Sequence, residues 1–457
     1  MRDFEYEVPY ARHLPSVKLG RWNGKVPFFS LGGATYLNLL PQILPKLEAM
    51  GIQVELEDQR VQHPDFVFTP IHEQSFAHKV WPKHHVNEGE PIVLRDYQVG
   101  AVNGYIDDLQ SIQEISTGAG KTIITAVLST LVEPYGRSIV IVPSKSLVTQ
   151  TEDDYINMGL DVGVFFGDRK EFGKTHTICT WQSLLALTKK SKEGEADITI
   201  EEFIEGVVCV ICDEVHSAKA EGLKSMMTGV LANIPIRWGL TGTIPKEDFE
   251  FQALRVSIGE VTNAISAASL QAQGVLANCH VKVLQTQDTA EYKTYPEELT
   301  FLTTDKDRME WLADKIHNIS LTGNTLVLVG RIQPGKDLTA LIPGAIFVSG
   351  AMKNVDRKVE YDDIATATNK CLVCTYGVAA IGINIPRVFN LVLVEPGKSF
   401  IRVIQSIGRG IRKAQDKDFV QIYDVTSRCK FSKRHLTKRK QFYKDAQYDF
   451  EIEKVHI

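Results

Sequence analysis

From Pro91 onward, short apolar runs rich in β-branched residues alternate with segments of helical character. A run that is apolar throughout predicts a strand buried on both faces, and helices between such strands predict parallel sheets. The runs are Ser138–Val142, Val207–Cys212, Trp238–Thr241, Thr325–Val329, Ala345–Val348, Cys371–Thr375, Leu391–Val394 and Phe419–Tyr423. This alternation predicts an α/β fold built on parallel sheets.

The runs fall into two groups, separated by a weakly patterned stretch around Phe249–Glu298. A length of 457 residues corresponds to about three domains. We therefore predict two parallel-sheet domains in tandem, preceded by a small α+β accessory domain that contains a helix near Leu37–Met50. The predicted bounds are 1–88 for the accessory domain, 89–265 for the first parallel-sheet domain, 266–290 for a linker and 291–457 for the second domain with a basic C-terminal tail.

Composition and charge exclude several classes of protein. An apolar share of 44% and a charged share of 23% are those of an ordinary globular chain. No apolar stretch approaches the roughly 20 residues that span a bilayer. The first seven residues carry acids where a signal peptide would be positive, so we expect a cytosolic protein. The net charge of −5 argues against a polybasic coat, although eight Lys or Arg and no acid lie between Arg428 and Lys444.

Two CxxC pairs, Cys209/Cys212 and Cys371/Cys374, superficially resemble a zinc site. Both pairs lie in apolar runs that predict buried strands. Residues three apart on a strand point to opposite faces, so neither pair can hold one ion from regular strand geometry. We therefore interpret these residues as reduced core cysteines.

A glycine-rich turn precedes the helical segment Ile123–Leu131 and has the residues of a phosphate-binding loop. Backbone N–H groups of such a loop close on phosphate oxygens at the positive end of a helix. Lys121 is predicted to reach the β- and γ-phosphates, and the Thr122 hydroxyl to bind Mg²⁺. The loop residues predicted to bind ATP are Thr117, Gly118, Ala119, Gly120, Lys121 and Thr122.

Two acids, Asp213 and Glu214, follow the apolar run Val207–Cys212. Carboxylates at the carboxyl end of a parallel strand lie where ligands bind in such sheets. Asp213 is predicted to hold Mg²⁺ through its water shell, and Glu214 to orient and deprotonate the attacking water. An isolated acidic pair usually marks only a solvated helix start, and its position after a phosphate-binding loop favours the catalytic interpretation.

Taken in order, these motifs resemble those of the superfamily 2 helicases of the DExH type, which have two RecA-like domains. The resemblance covers residues 91–424 and implies that Arg95 and Gln98 read adenine, while Thr241 and Thr243 couple hydrolysis to nucleic-acid binding. The matching segments are Leu94–Gln98, Ser116–Thr122, Val142–Leu147, Thr180–Ser183, Asp213–His216, Thr241–Thr243, Thr375–Pro386 and Gln405–Arg412.

The last of these segments implies catalytic roles for Gln405, Arg409 and Arg412. Phosphoryl transfer spreads negative charge over the γ-phosphate, which a cation from a neighbouring domain stabilises. Because these arginines belong to the second domain and the phosphate-binding loop to the first, hydrolysis is expected to require closure of the domains. Such alternation is a motor stroke if both domains hold a strand.

The arrangement is further similar to the phage UvsW helicase family, on account of its small N-terminal domain, compact motor and short basic tail. The N-terminal domain carries the element Arg21-Trp22-Asn23-Gly24-Lys25. The family implies ATP-dependent unwinding or branch migration of forks, Holliday junctions and R-loops in replication, recombination and repair. The expected cofactors are ATP and Mg²⁺, the expected partner is branched or duplex DNA or an RNA–DNA hybrid, and the expected state is a monomer in the host cytoplasm.

Candidate nucleic-acid contacts occur in each predicted domain. Hydroxyls, amides and backbone N–H groups that bind phosphates give the sequence-independent grip that a motor needs. The candidates are Ser144, Lys145, Thr180 and Gln182 in the first domain, and Thr375, Tyr376, Lys433 and Arg434 in the second. Each could equally be an ordinary polar loop residue, and the basic segment could be a solvated helix.

In the N-terminal domain, Lys18, Arg21, Trp22 and Lys25 could dock duplex DNA, although Trp22 is equally plausible as a core residue of a small sheet. Two other functions remain open for the whole chain. One is a translocase that tracks duplex DNA without separating strands, and the other is a nucleic-acid binder without enzymatic activity.

Overall fold

The computed structural model describes residues 2–60, 63, 65–81, 88–116, 118–217, 220–275, 278–348, 350, 352, 367–380, 387–397, 419–445 and 448–457. The chain divides into two compact units. The first comprises Met1–Ile115 and Gly120–Ile265, and the second comprises Ser116–Ala119 and Ser266–Ile457. Each unit contains one large sheet, which confirms the predicted α/β fold with two parallel-sheet domains.

The N-terminal part of the first unit contains a two-stranded antiparallel sheet and two helices. They are β1 (Glu5–Glu7), α1 (Pro15–Lys18), β2 (Lys25–Pro27) and α2 (Leu40–Ala49). A 3-10 turn, Leu37–Leu39, leads into α2, so the predicted helix near Leu37–Met50 is confirmed.

The sheet of the first unit has eight strands, and all of its strand pairs are parallel except the terminal hairpin. Its order is β10-β3-β9-β8-β4-β7-β5-β6. The strands are β3 (Gln110–Ile115), β4 (Arg137–Val142), β5 (Val162–Phe166), β6 (Arg169–Lys170), β7 (His176–Thr180), β8 (Val207–Asp213), β9 (Ile236–Thr241) and β10 (Glu260–Ile265). The helices are α3 (Asp96–Asp107), α4 (Lys121–Val132), α5 (Lys145–Asn157), α6 (Trp181–Glu193), α7 (Ile200–Ile204), α8 (Ala220–Met227) and α9 (Asp248–Ser257).

The N-terminal residues do not have a core of their own. Phe4, Phe28 and Ile43 pack in one buried cluster with Phe249 and Ala253 of helix α9. A segment this short cannot bury enough apolar surface to be stable alone, so it completes its core on the larger domain. The predicted division at residue 88 therefore does not separate two cores.

The N-terminal tryptophan lies at a turn rather than in that cluster. The Trp22 indole N–H donates to the Lys25 carbonyl at 2.8 Å, and the Lys25 N–H donates to the Asn23 side chain at 3.0 Å. Arg21 and Lys25 are exposed beside it, while Trp22 itself is half-buried. The tryptophan thus fixes the turn that presents two cations to solvent.

The sheet of the second unit has seven strands, all paired in parallel, in the order β13-β14-β12-β15-β16-β11-β17. The strands are β11 (Asn278–Thr286), β12 (Thr325–Val329), β13 (Ile346–Val348), β14 (Cys371–Thr375), β15 (Asn390–Val394), β16 (Phe419–Ser427) and β17 (Asp449–Val455). The helices are α10 (Ala267–Ala272), α11 (Tyr295–Thr304), α12 (Lys306–Ser320), α13 (Ile332–Leu341), α14 (Tyr376–Ala380) and α15 (Lys430–Asp445).

Each of the eight predicted apolar runs overlaps one of these strands. Both CxxC pairs lie on buried strands as predicted, the first on β8 and the second on β14. Burial raises the pKa of the Cys371 and Cys374 thiols to about 12, so they remain protonated. These cysteines pack as small apolar side chains.

The predicted linker, 266–290, contains helix α10 and strand β11. Strand β11 pairs with β16 on one side and with β17 on the other, so it is an interior strand of the second sheet. This strand could not be recognised from the sequence, because Asn278, His280 and Lys282 interrupt its apolar pattern. The linker prediction is wrong for residues 278–286.

The predicted basic tail is also wrong as a description, because its residues belong to the body of the second domain. Helix α15 connects β16 to β17, and β17 forms the edge of the sheet. One arginine of this helix, Arg439, is buried and donates from Nε to Asp424 Oδ2 at 2.8 Å and from Nη2 to Asp424 Oδ1 at 2.9 Å. The Tyr443 hydroxyl donates to the same carboxylate at 2.8 Å. The helix is therefore fastened to strand β16 by a buried ion pair.

We predict that Arg439→Ala destabilises the protein by about 3 kcal/mol or more, because it leaves the buried Asp424 carboxylate without its cation. Lys438→Ala, at the exposed neighbouring position, should change stability by less than about 0.5 kcal/mol. Urea unfolding of both variants checks this expectation. Equal stability of the two variants would contradict the structural role of Arg439.

Candidate ATP site and nucleic-acid interface

Five neighbouring strands of the first sheet, β3, β9, β8, β4 and β7, are paired in parallel. Their carboxyl ends therefore meet at one edge, where ligands bind in sheets of this kind. The segments that follow these strands are 116–122, 242–243, 214–217, 143–147 and 181–183. Every motif predicted in the first domain after residue 98 thus starts at this edge.

The phosphate-binding loop joins β3 to α4, and Lys121 is the first residue of the helix. Gly118 has φ +91° and Gly120 φ +81°, a region that residues with a Cβ rarely adopt. A Cβ on Gly120 would also lie 2.7 Å from the Gln98 amide nitrogen. A residue with a side chain would therefore be strained there, and the loop leads directly into a helix N-terminus, which favours anions. Thr117 lies outside the described residues.

The predicted adenine-reading residues lie at the start of helix α3. The buried Gln98 side chain accepts a hydrogen bond at Oε1 from the Arg95 N–H at 3.0 Å. Arg95 donates from Nη1 to the Tyr97 hydroxyl at 3.1 Å. Gln98 is thus held against the phosphate-binding loop, while its reading of adenine stays a prediction.

Lys121 and Glu214 form an ion pair at the centre of the site. The Lys121 Nζ donates to Glu214 Oε1 at 2.6 Å, and the two side chains are 10% and 13% exposed. Burial raises the pKa of Glu214, but the opposing effects, led by the charge of Lys121, outweigh burial and leave that pKa below its usual value. The Glu214 carboxylate is therefore ionised at neutral pH, as a general base must be.

His216 links this carboxylate to the next strand. Its ring lies 3.4 Å from Glu214 Oε2, and its Nδ1 lies 2.5 Å from Thr241 Oγ1. The Thr241 hydroxyl donates to the Thr243 carbonyl at 2.8 Å and accepts from the Thr243 N–H at 3.2 Å. Burial lowers the pKa of His216, which favours the neutral ring. The motif Asp213–His216 predicted no separate role for His216, although its position two residues after Glu214 indicates one.

The predicted magnesium ligands are Asp213 at the end of β8 and Thr122 in the first turn of α4. Mg²⁺ typically takes one or two protein oxygens together with substrate phosphates. One carboxylate and one hydroxyl at this edge of the sheet fit that requirement. Asp213 Oδ1 also accepts from the Glu214 N–H at 2.9 Å, which orients the carboxylate. Among the described residues, no three His, Cys, Asp or Glu side chains cluster as a metal site.

The four nucleic-acid candidates of the first domain line one cavity of about 560 Å³. Ser144 caps helix α5 by accepting from the Leu147 N–H at 3.4 Å. Thr180 caps α6 by accepting from the Ser183 N–H at 3.3 Å. Lys145 and Gln182 are exposed beside these caps. The structure thus brings Ser144, Lys145, Thr180 and Gln182 together, with two helix N-termini facing one cavity.

The second-domain candidates are not equivalent. Tyr376 is buried, and its hydroxyl donates to the Val394 carbonyl at 3.3 Å, so its side chain is a core residue and not a strand contact. Thr375 is half-buried and accepts from the Val378 N–H at 3.4 Å. Lys433 and Arg434 are exposed on helix α15. The predicted catalytic residues Gln405, Arg409 and Arg412 lie outside the described residues.

Part of the chain matches a known protein family, and two known proteins are similar to longer stretches of it. Residues 91–246 match the family model described as the res subunit of type III restriction enzymes. The chain is 22% identical over 465 residues to the ATP-dependent DNA helicase uvsW of Enterobacteria phage T4, covering 97% of this chain and 89% of that protein. It is 29% identical over 206 residues to the DNA 3'-5' translocase XPB2 of Sulfurisphaera tokodaii, covering 45% and 43%.

A solved structure shows the same fold. A fragment described as an HsdR subunit of a type I restriction enzyme from Vibrio vulnificus matches 82% of this chain and 70% of its own, with a TM-score of 0.60 and 16% identity. The fold is therefore that of two tandem RecA-like domains, and the first domain carries the residues predicted for a P-loop ATP site. The predicted resemblance to the UvsW helicases is confirmed by a relative that matches nearly the whole chain.

We predict that Ser144→Ala and Thr180→Ala each lower stability by about 1 kcal/mol, because each removes a helix cap. Gln182→Ala, in the same cavity but exposed, should change stability by less than about 0.5 kcal/mol while weakening the binding of single-stranded DNA. Thermal unfolding and fluorescence anisotropy separate the two effects. A Gln182→Ala protein with unchanged DNA affinity would leave that side chain an ordinary surface residue.

Proposed function

We propose that this protein is an ATP-dependent DNA helicase or translocase that unwinds or branch-migrates forks, Holliday junctions and R-loops in replication, recombination and repair. The observation that carries the proposal is the shared edge of the first sheet. It holds the phosphate-binding loop, the Asp213–Glu214 pair and the cavity of strand-contact candidates within one set of parallel strands. ATP chemistry and DNA contact at one edge of a sheet are one requirement for a motor.

The Lys121–Glu214 ion pair gives the first step of the mechanism. Bound phosphates carry more negative charge than one carboxylate, so they draw the Lys121 ammonium away from Glu214. The released carboxylate then accepts the proton of the attacking water. Asp213 and Thr122 would hold Mg²⁺, which would supply positive charge to the phosphates. The ion pair thereby prevents Glu214 from acting as a general base until nucleotide binds.

The His216–Thr241 contact carries the change onward. Once Lys121 leaves, Glu214 retains His216 as a polar neighbour, and His216 is joined through Thr241 to the Thr243 backbone. A shift of the Glu214 carboxylate therefore displaces the residues at the end of strand β9. This path supports the coupling role predicted for Thr241 and Thr243.

A fork test separates the helicase from its alternatives. We predict that wild type releases the labelled strand of a model fork only with ATP, and that Lys121→Ala abolishes this release. Glu214→Gln should lower turnover roughly 10²- to 10⁴-fold while ATP still binds. ATP consumption without released strands would point to the duplex translocase, and DNA binding without ATP turnover to a binder that lacks enzymatic activity.

Helix α15 supplies the charge of a second contact surface. Five of its cations are exposed, most of them three or four residues from another, while Arg439 is buried. They are Lys430, Lys433, Arg434, Lys438 and Lys444. We propose that this basic face binds DNA phosphates. Because α15 connects two strands of the sheet, point substitutions test this face without removing part of the domain.

We predict that the double variant Lys433→Ala/Arg434→Ala reduces the slope of log affinity against log salt by roughly 2, or by about 1 per lost phosphate contact. Lys306→Ala is the control, an exposed lysine of the same unit that pairs with Glu310 at 3.7 Å. Titration of duplex DNA at several salt concentrations gives both slopes. An unchanged slope in the double variant would make this face an ordinary solvated surface.

A further inference from the structure

The cavity beside Ser144 and Thr180 has a second, aromatic wall. The phenylalanines Phe165, Phe166 and Phe172 line it, from strand β5 and from the residues that follow β6. Phe172 is 39% exposed, although phenylalanine is normally buried. A motor that only gripped phosphates would need no aromatic surface at this position.

The exposed ring of Phe172 is held in place from behind. Its centroid lies 5.6 Å from that of Phe165 and 6.3 Å from that of Phe203, and both of these rings are buried in the domain core. Two contacts of this kind fix the orientation of a ring without covering it. Phe172 therefore presents a rigid apolar surface to the cavity.

The same cavity is lined by three lysines, Lys145, Lys170 and Lys190, and by two acids, Glu195 and Asp197. Lys170 lies 3.6 Å from Asp197. Lys145 and Lys190 form no ion pair with any residue that the structure describes. The Lys145 Nζ lies close to Gly167 in the turn between β5 and β6, 3.5 Å from the position of an added Cβ. Cations and an apolar wall thus share one space.

We propose that this cavity binds one unstacked nucleobase of the single strand on which the motor acts, with the phosphate of that nucleotide near Lys145 and the base against Phe172. The inference rests on the proposed function and adds a binding site to it. Stacking on an aromatic ring accepts any base, so the pocket keeps the binding independent of sequence. A cavity of about 560 Å³ can hold one nucleotide.

A duplex cannot use this pocket without breaking a base pair. A paired base is stacked inside the helix and must be unpaired and unstacked before it can enter, which costs a few kcal/mol. Binding of the base in the pocket offsets this cost, so the pocket favours separated strands over the duplex. Among the functions considered, it therefore supports strand separation rather than tracking of intact duplex.

The test uses full-length protein and two variants that act on different walls. Phe172→Leu removes the ring but keeps an apolar side chain, and Ala186→Trp fills the cavity from the exposed face of helix α6. The controls are Phe419→Leu, an exposed phenylalanine of the second unit, and Leu185→Trp, an exposed neighbour of Ala186 on α6. Affinity is measured for an oligothymidine and for an oligomer of abasic sites of equal length.

We expect both test variants to bind oligothymidine roughly five- to fiftyfold more weakly, the loss that follows removal of one base–aromatic stack. Their affinity for the abasic oligomer should equal that of wild type, and both controls should bind both oligomers normally. Unchanged affinity for oligothymidine, or an equal loss on both oligomers, overturns the base pocket. If wild type then still separates the fork with ATP, the proposed function stands without it. Wild type that binds neither oligomer overturns both proposals.

Discussion

Parallel hydrogen bonding among β3, β9 and β8 is the constraint on which the first domain depends. The register pairs Glu114 with Thr241 and Asp213 with Leu240, so the three strands end at almost the same level. The phosphate-binding loop, the Thr241 segment and the Asp213–Glu214 pair are far apart in sequence, and only this register brings them together. A slip by one residue would turn each of these side chains to the other face of the sheet.

The same edge holds the predicted catalytic base, Glu214, in a strained backbone conformation. Glu214 has φ +51°, which costs a residue with a Cβ on the order of 1–3 kcal/mol. The ion pair with Lys121 and the contact with His216 hold the side chain that this backbone conformation presents. The cost of the backbone conformation is therefore offset by contacts that the side chain makes at this edge of the sheet.

Much of this domain could be predicted because its signals are local. Continuous apolar runs marked β4, β8 and β9, and the glycines marked the loop. Strand β3 carried no such signal, since Gln113 and Glu114 interrupt it. The Gln113 amide is satisfied by a tertiary contact, a hydrogen bond to the Ala101 carbonyl at 2.8 Å. Patterns along the chain cannot show partners of this kind.

In the second domain, the sequence likewise does not show which basic residues are buried and which are exposed. Arg439 and Lys438 are adjacent in a basic segment, and nothing in their order distinguishes them. The structure buries Arg439 against Asp424, fifteen residues earlier, and leaves Lys438 in solvent. The number of cations in the sequence therefore overstates the positive charge that DNA can contact, because Arg439 is buried in an ion pair. The exposed cations lie on one face of helix α15. Their spacing, and not the total charge of the segment, determines how many phosphates they can contact.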